Sequence, residues 1–323
     1  MRKVLKNIFK GKGIFVFSDP GGAKAILSMY LKLKSSLDLA VLISDREYSF
    51  YSDFNIKVNI HNENYKETII KFNPDFILTS TSYTSKIELE YINFAKTIKC
   101  KTLSFIDHWT SLRDRFFYND KYVFPEHILV IDKEAKEKAF KEGIIKSKIY
   151  IFGNPYYDFL KKWNPNISKE DFLSQININY YTEDLKIIVF APDPLSNVSG
   201  KDNFGFDEIE AIEMISLLLD KSPLNALFLI KPHPNQKIDI FNKINIKNTH
   251  ILDKNVNSNL LIYYSDIIIG FFSNFLIEAH IMNKTIIRFF PKKIINDPFH
   301  NKNFGKIVIG ENLIYEIKKI LND

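Results

Sequence analysis

Two strand ends in the second half of the chain carry residues suited to holding a phosphate. Lys231-Pro-His-Pro234 closes the apolar run Ala226-Leu-Phe-Leu-Ile230. Proline on either side of His233 fixes the backbone and removes competing N–H donors. An imidazole held there can donate to a phosphate oxygen, and Lys231 adds a point charge. The second segment, Asp266-Ile-Ile-Ile-Gly-Phe-Phe-Ser-Asn-Phe-Leu-Ile-Glu-Ala279, reads as a buried strand ending at Gly270, a polar turn at Ser273-Asn274, then a helix. A hydroxyl and free backbone N–H groups at a helix start make an anion site. Ser273 and Asn274 are also ordinary helix caps. Glu278, about one turn further in, is placed to meet ribose hydroxyls, although an acid early in a helix also suits the helix dipole.

The first half offers groups that could move a proton. Asp19-Pro-Gly-Gly-Ala23 follows a strand, and Gly21 and Gly22 would let the backbone approach a ligand closely. The segment lacks the third glycine of a dinucleotide fingerprint and the Gly-Lys-Ser/Thr of a P-loop. Asp19 either caps the next helix or faces an acceptor. Phe105-Ile-Asp-His-Trp109 places Asp107 and His108 just past another buried strand, with Arg113 and Arg115 following. A carboxylate at that edge can take a proton from an attacking hydroxyl. The arginines can bind an anionic acceptor, or one of them can form an ion pair with Asp107. His127, Asp132, His250, His280 and His300 have no tight metal-ligand spacing, so no metal is expected. No Gly-x-Ser-x-Gly nucleophile elbow is present.

The elements that must position these groups alternate between β-rich runs and helical patterns, which predicts βαβ units and parallel sheets. Strands are expected at Gly13–Phe17, Leu39–Ile43, Asp75–Thr79, Lys101–Ile106, His127–Ile131 and Ile149–Phe152. A second set is expected at Lys186–Ala191, Ala226–Ile230, Thr249–Leu252, Asp266–Ile269, Thr285–Phe290 and Lys306–Ile309. Helices are expected over 23–33, 85–98, 133–142, 207–219 and 312–321. The polar stretch 163–183 reads as a linker. The division is therefore 1–160 for an N-terminal Rossmann-like domain, 161–185 for the linker and 186–323 for a C-terminal Rossmann-like domain, an α/β pair facing each other across a cleft.

At 323 residues the chain is long enough for two such cores. Its net charge of +6 attracts anions, but no Lys/Arg block is long enough for a nucleic-acid arm. The single cysteine, Cys100, excludes an internal disulfide and a cysteine-rich metal site. The start, Met1–Lys10, is basic and amphipathic without the pattern of a signal peptide. No run reaches the roughly 18–20 apolar residues of a membrane span. A cytoplasmic protein is expected, with basic residues allowing peripheral contact with the inner membrane.

These segments resemble those of GT-B glycosyltransferases and the related nucleotide-sugar epimerases. Ile151-Phe-Gly-Asn-Pro-Tyr-Tyr-Asp158 resembles the Gly-Asn-Pro segment that leads out of the first domain of that family. Lys231-Pro-His-Pro234 is similar to the His-Pro motif of bacterial sialyltransferases, Kdo transferases and glycerophosphate polymerases. Gly270–Ala279 resembles the Ser-Ser/Thr motif and helix that accompany it. The resemblance implies that His233 and Ser273 contact the donor phosphate and that Asp107 is the base, with Asp19 as its rival. With the residues read above, the expected site is donor binding by Pro192, Lys231, His233, Ser273, Asn274 and Glu278, acceptor binding by Gly21, Gly22, His108, Arg113 and Arg115, and catalysis by His233 and by Asp107 or Asp19. The family's base motif departs at His108 and Trp109, which replace a second acid and a glycine. Asn274 likewise replaces the second Ser/Thr.

The implied activity is metal-independent, inverting glycosyl transfer with no cofactor, from a CMP-activated acidic sugar of the sialic, pseudaminic, legionaminic or Kdo type. The acceptor would be a glycan or lipid-linked molecule of the cell surface. Alternatives are transfer of glycerol phosphate from CDP-glycerol, a UDP-sugar transferase or epimerase, and a nucleotide- or glycan-binding subunit of a capsule assembly complex. Epimerisation fits less well, because the arginine-rich first turn expected for it is absent at Asp19–Gly22.

Overall fold

A computed structural model describes residues 8–60, 64–221, 224, 226–234, 236, 238–241, 249–299 and 304–322. His300 and most of the basic start of the chain lie outside the described residues. The chain divides into two compact units, Met1–Phe159 and Leu160–Asp323.

In the first unit seven parallel strands form one sheet among the described residues. They are β1 (Gly11–Phe17), β2 (Leu37–Ser44), β3 (Asn59–Ile60), β4 (Phe76–Thr79), β5 (Lys101–Ile106), β8 (His127–Val130) and β9 (Lys148–Ile151). β6 (Phe117–Tyr118) and β7 (Lys121–Tyr122) form a separate antiparallel hairpin. The sheet order is β3-β2-β1-β4-β5-β8-β9, so the winding direction reverses between β1 and β4. Ligands of open α/β sheets bind at such a reversal, beyond the carboxyl ends of the strands. Ile14 and Val16 pack into one face with Ile43, Ile77 and Tyr91. The helix Pro20–Leu33 begins directly past β1, with proline in its first turn, where the missing N–H costs nothing.

The second unit repeats the plan with β10 (Ile187–Ala191), β11 (Leu227–Ile230), β12 (Thr249–Ile251), β13 (Ile267–Gly270), β14 (Thr285–Phe290) and β15 (Lys306–Ile309). Their order is β12-β11-β10-β13-β14-β15, all parallel, with the reversal between β10 and β13. Both faces are covered, as the continuous apolar runs require. Ile188 and Phe190 enter one core with Phe206 and Ile215. The intervening Ile187 and Val189 enter the other with Leu261 and Leu276.

The stretch expected to be an irregular linker belongs to the second unit. It contains the helix Lys169–Gln175, opened by a reciprocal capping box between Ser168 and Asp171. Phe172 and Leu173 from this helix are buried in the core. The polar composition concealed a helix anchored by only two large apolar side chains.

Candidate functional site

Three neighbouring strand ends share one edge of the sheet in the second unit. After β10 the chain runs through Pro192, Asp193 and Pro194. After β11 come Lys231 and His233, and after β13 come Phe271, Phe272 and Ser273. β10 pairs with both β11 and β13, so the three loops are side by side. The two motifs converge: Lys231 Nζ lies 5.3 Å from the ring centroid of Phe275, in the first turn of the helix Asn274–Ile281. Gly270 lets the end of β13 lie close against β10 and the following helix, since a Cβ there would sit 2.9 Å from Ala191 O and 3.1 Å from Leu276 Cδ2.

Ser273 occupies the N-cap position with extended backbone, yet its side chain caps nothing. Its Oγ is buried without a hydrogen-bond partner among the described residues. Leaving a buried hydroxyl unmatched costs about 1–3 kcal/mol. An anion at this helix start would supply the acceptor and meet the positive end of the dipole. Asn274 is exposed at the first helical position, and Glu278 and Pro192 are buried.

The His233 loop is held by its own neighbours. Gln236 Oε1 accepts from His233 N at 2.8 Å, and Lys254 Nζ donates to Pro234 O at 3.1 Å. Burial, then Lys231 and Lys254, depress the His233 imidazolium to a pKa of about 4. The ring is therefore neutral at pH 7 and gains affinity for a proton when a negative ligand arrives.

Two residues that the sequence analysis passed over fix this edge. Asp193 accepts from Phe272 N at 3.1 Å, tying the β13 loop to the end of β10. Burial pushes its carboxyl up to about 7, only partly opposed by that bond. Arg288, 2% exposed in β14, donates through Nε to Phe271 O at 3.0 Å and pairs with Asp297. The flanking prolines hid Asp193, and the apolar run Thr285–Phe290 made Arg288 look incidental.

In the first unit Asp19 and Asp107 project from the carboxyl ends of β1 and β5, and they differ in their surroundings. Asp19 is heavily engaged. Its Oδ1 accepts from Thr84 Oγ1 at 2.6 Å and lies 3.5 Å from Arg46, and its Oδ2 accepts from Tyr83 N at 2.9 Å. Its own N–H donates to Ser82 Oγ at 2.9 Å. Asp107 is ion-paired with the buried Arg115 at 4.0 Å. Arg115 also donates to Thr81 O at 3.2 Å. Burial raises the Asp107 carboxyl above its ordinary range, and Arg115 opposes the rise.

Asp107 lies against the turn after β1, because a Cβ on Gly21 would fall 2.2 Å from Asp107 Oδ2. On Gly22 a Cβ would fall 2.5 Å from Ser80 Cβ. Both glycines therefore make room for side chains of this edge. Trp109 Nε1 donates to Asp132 Oδ2 at 2.7 Å, fixing the loop past β5. His108 Nδ1 is 2.9 Å from Thr110 Oγ1, and burial and Arg115 hold its pKa below the usual histidine value.

Arg113 is not brought to this group. It stacks on Tyr122 at 4.2 Å, and its backbone N–H donates to Glu142 Oε2 at 2.8 Å. It lines a separate cavity on the other side of the unit. Two residues of separation across the tight turn Asp114–Phe116 send the two arginines to different places.

Glu88, also passed over, is linked to Asp19 through Ser82 Oγ, which accepts from Asp19 N and donates to Glu88 Oε1. Its Oε1 accepts from Ser80 Oγ at 2.9 Å and from Ser82 Oγ, and burial pushes its pKa up to about 7. A folded-state pKa above the unfolded value of 4.5 gives stability that is complete below pH 4.5 and lost as pH rises through about 7. Glu88→Gln keeps an acceptor for both serines and removes the charge. Denaturation across this range should show the variant free of that decline, gaining on the order of 3 kcal/mol over wild type at pH 8. Parallel wild-type and variant curves would refute this assignment.

Two Rossmann-like units in succession define the fold as that of the GT-B class. Solved structures with the same fold include the UDP-GlcNAc 2-epimerase of Methanocaldococcus jannaschii, at 14% identity over 97% of this chain and 93% of that one, with a TM-score of 0.63. The Neisseria meningitidis UDP-GlcNAc 2-epimerase, solved bound to UDP-GlcNAc, matches at 15% identity over 96% and 91% of the two chains, with a TM-score of 0.64. The glycosyltransferase SnogD from Streptomyces nogalater matches at 10% identity over 97% and 91%, with a TM-score of 0.51. No protein-family model matches the chain. No curated protein matches it in sequence. At these identities the likeness establishes the fold.

Proposed function

We propose that the chain is a nucleotide-sugar-dependent glycosyltransferase that works without a metal ion on a cell-surface glycan. The observation that carries this reading is the edge of the second sheet. There the buried Ser273 hydroxyl, without a hydrogen-bond partner among the described residues, lies at a helix start whose first turn contacts Lys231. In this scheme the donor phosphate binds Ser273 and the helix start, with Lys231 and His233 completing the grip. Charge growing on the departing phosphate is met by groups already oriented for it. Glu278 takes the ribose. In the first unit Asp107 removes the proton of the acceptor hydroxyl as that oxygen attacks the anomeric carbon, with inversion. Asp19, held by Tyr83 N, Thr84 Oγ1 and Arg46, fixes the turn. Arg115 and His108 set the charge around Asp107.

One lysine, one neutral histidine and one serine suit a single phosphodiester, so a CMP-activated acidic sugar is the donor placed first. A UDP-sugar, transferred or epimerised, is the second reading. It is favoured by the fold shared with the UDP-GlcNAc 2-epimerases and by the raised pKa of Asp107, which suits a carboxyl that both takes and returns a proton.

A thermal-shift comparison of CMP, CDP, UMP and UDP separates the two. A nucleotide at a hundred times its Kd adds about 2.7 kcal/mol to the folded state, a rise of several degrees in Tm. Cytidine nucleotides are expected to give the larger rise, and turnover of CMP-sugars is expected to survive chelator. A rise with uridine nucleotides alone transfers the assignment to the second reading. No rise with any of the four refutes a nucleotide site.

A further inference from the structure

At the end of the first sheet opposite Asp107, where the strands begin, there is a cavity of about 860 Å³. It is built by the segments leading into three adjacent strands: 96–100 into β5, 121–126 into β8 and 143–146 into β9. Its charged lining is strongly one-sided. Lys96, Lys99, Lys121, Lys146 and Arg113 face a single acid, Glu126, which lies 3.2 Å from His127 Nε2. Lys101 and Lys148 begin β5 and β9 beside it.

Large apolar side chains stand in solvent on the same segments. Ile145 lines the cavity and is 77% exposed, and Ile98, between Lys96 and Lys99, is 45% exposed. Tyr122, also lining it, packs on the 44% exposed Phe117 at 5.3 Å. Phe140, 48% exposed, lies in the last turn of the helix Lys133–Lys141 that leads to Gly143. A cavity for a soluble anion has no use for this apolar rim. A surface that combines lysines with protruding isoleucine and aromatic side chains matches the headgroup region of an anionic bilayer.

We propose that this end of the first unit seats on an anionic membrane surface, with a lipid phosphate in the lysine-lined cavity and Ile145 among the acyl chains. The contact is separate from the nucleotide grip and does not depend on it. It leaves the carboxyl edge, with Asp107, facing away from the lipid.

Flotation of the full chain with vesicles of phosphatidylcholine, with and without phosphatidylglycerol, tests the proposal. Binding is expected only with phosphatidylglycerol and is expected to weaken with salt. Lys99→Gln, Lys121→Gln and Lys146→Gln together should lower partitioning on the order of a hundredfold, at about fivefold per lysine. Ile145→Asp should lower it independently, at a position too exposed to disturb the core. A parallel variant neutralising Arg2, Lys3 and Lys6 provides the comparison. The proposal fails if that variant alone abolishes binding, if the triple-lysine variant floats like wild type, or if neutral vesicles bind equally well. It also fails if inorganic phosphate displaces the protein from vesicles at an ionic strength at which sodium chloride does not, which would make the cavity a site for free anions.

Discussion

Asp107→Asn is expected to lower kcat/KM on the order of 10²–10⁴-fold, the usual contribution of a positioned general base. Asparagine preserves the shape of the side chain beside Gly21 and removes the basic oxygen, so nucleotide affinity should be unchanged; it also removes the charge paired with the buried Arg115, so turnover is compared per folded molecule. Asp19→Asn is the informative contrast. Asp19 accepts from Tyr83 N and Thr84 Oγ1 and lies within reach of Arg46, so its loss should appear as lowered stability with turnover reduced in proportion to the folded fraction. A steady-state comparison on the accepted donor, with a melting curve for each variant, distinguishes the roles. If Asp19→Asn abolishes kcat in fully folded protein while Asp107→Asn does not, the base has been assigned to the wrong strand end.

The second large effect is expected at the other unit. Ser273→Ala and His233→Ala should each reduce kcat by about 10²–10³-fold, the range for removing one preorganised donor from a developing negative charge. Ser273→Ala carries a further signature. It deletes a buried hydroxyl that has no hydrogen-bond partner among the described residues, so without added nucleotide the variant should be as stable as wild type or more so. Loss of activity with gain of stability would distinguish a ligand-binding serine from a structural cap, whose removal destabilises. His233 adds a pH dependence. Because its folded-state pKa is about 4, phosphate binding must draw a proton onto the ring or use it neutral. Wild-type nucleotide affinity should strengthen as pH falls from 7 towards 5, and His233→Asn should flatten that trend. A Ser273→Ala enzyme with unaltered kcat would remove the serine from the mechanism.

The strands were legible because buried parallel strands leave uninterrupted β-branched runs, and Ile187-Ile-Val-Phe-Ala191 and Ile267-Ile-Ile-Gly270 are such runs. That Lys231, His233 and Ser273 share one edge was legible because they follow the β11 run Leu227–Ile230 and the β13 run Ile267–Gly270, where a doubly wound sheet presents its loops. Elements with little apolar content were not. β3 is two residues long, and the helix Lys169–Gln175 rests on Phe172 and Leu173. Side-chain direction within a turn was equally opaque. Arg113 and Arg115 look equivalent in sequence, yet one stacks on Tyr122 and the other pairs with Asp107. Glu88 and Asp193 were obscured for another reason. An acid near a helix start or between prolines has an ordinary local explanation, and only burial from distant strands reveals the second role.

The contact between Gly21 and Asp107 ties two positions far apart in the chain. Any side chain at 21 would occupy the volume now filled by the carboxylate oxygen. Drift at either site is therefore conditional on the other: a larger residue at 21 is tolerable only where 107 has become small or has turned away. Among descendants of this sequence, the two columns should change as a pair.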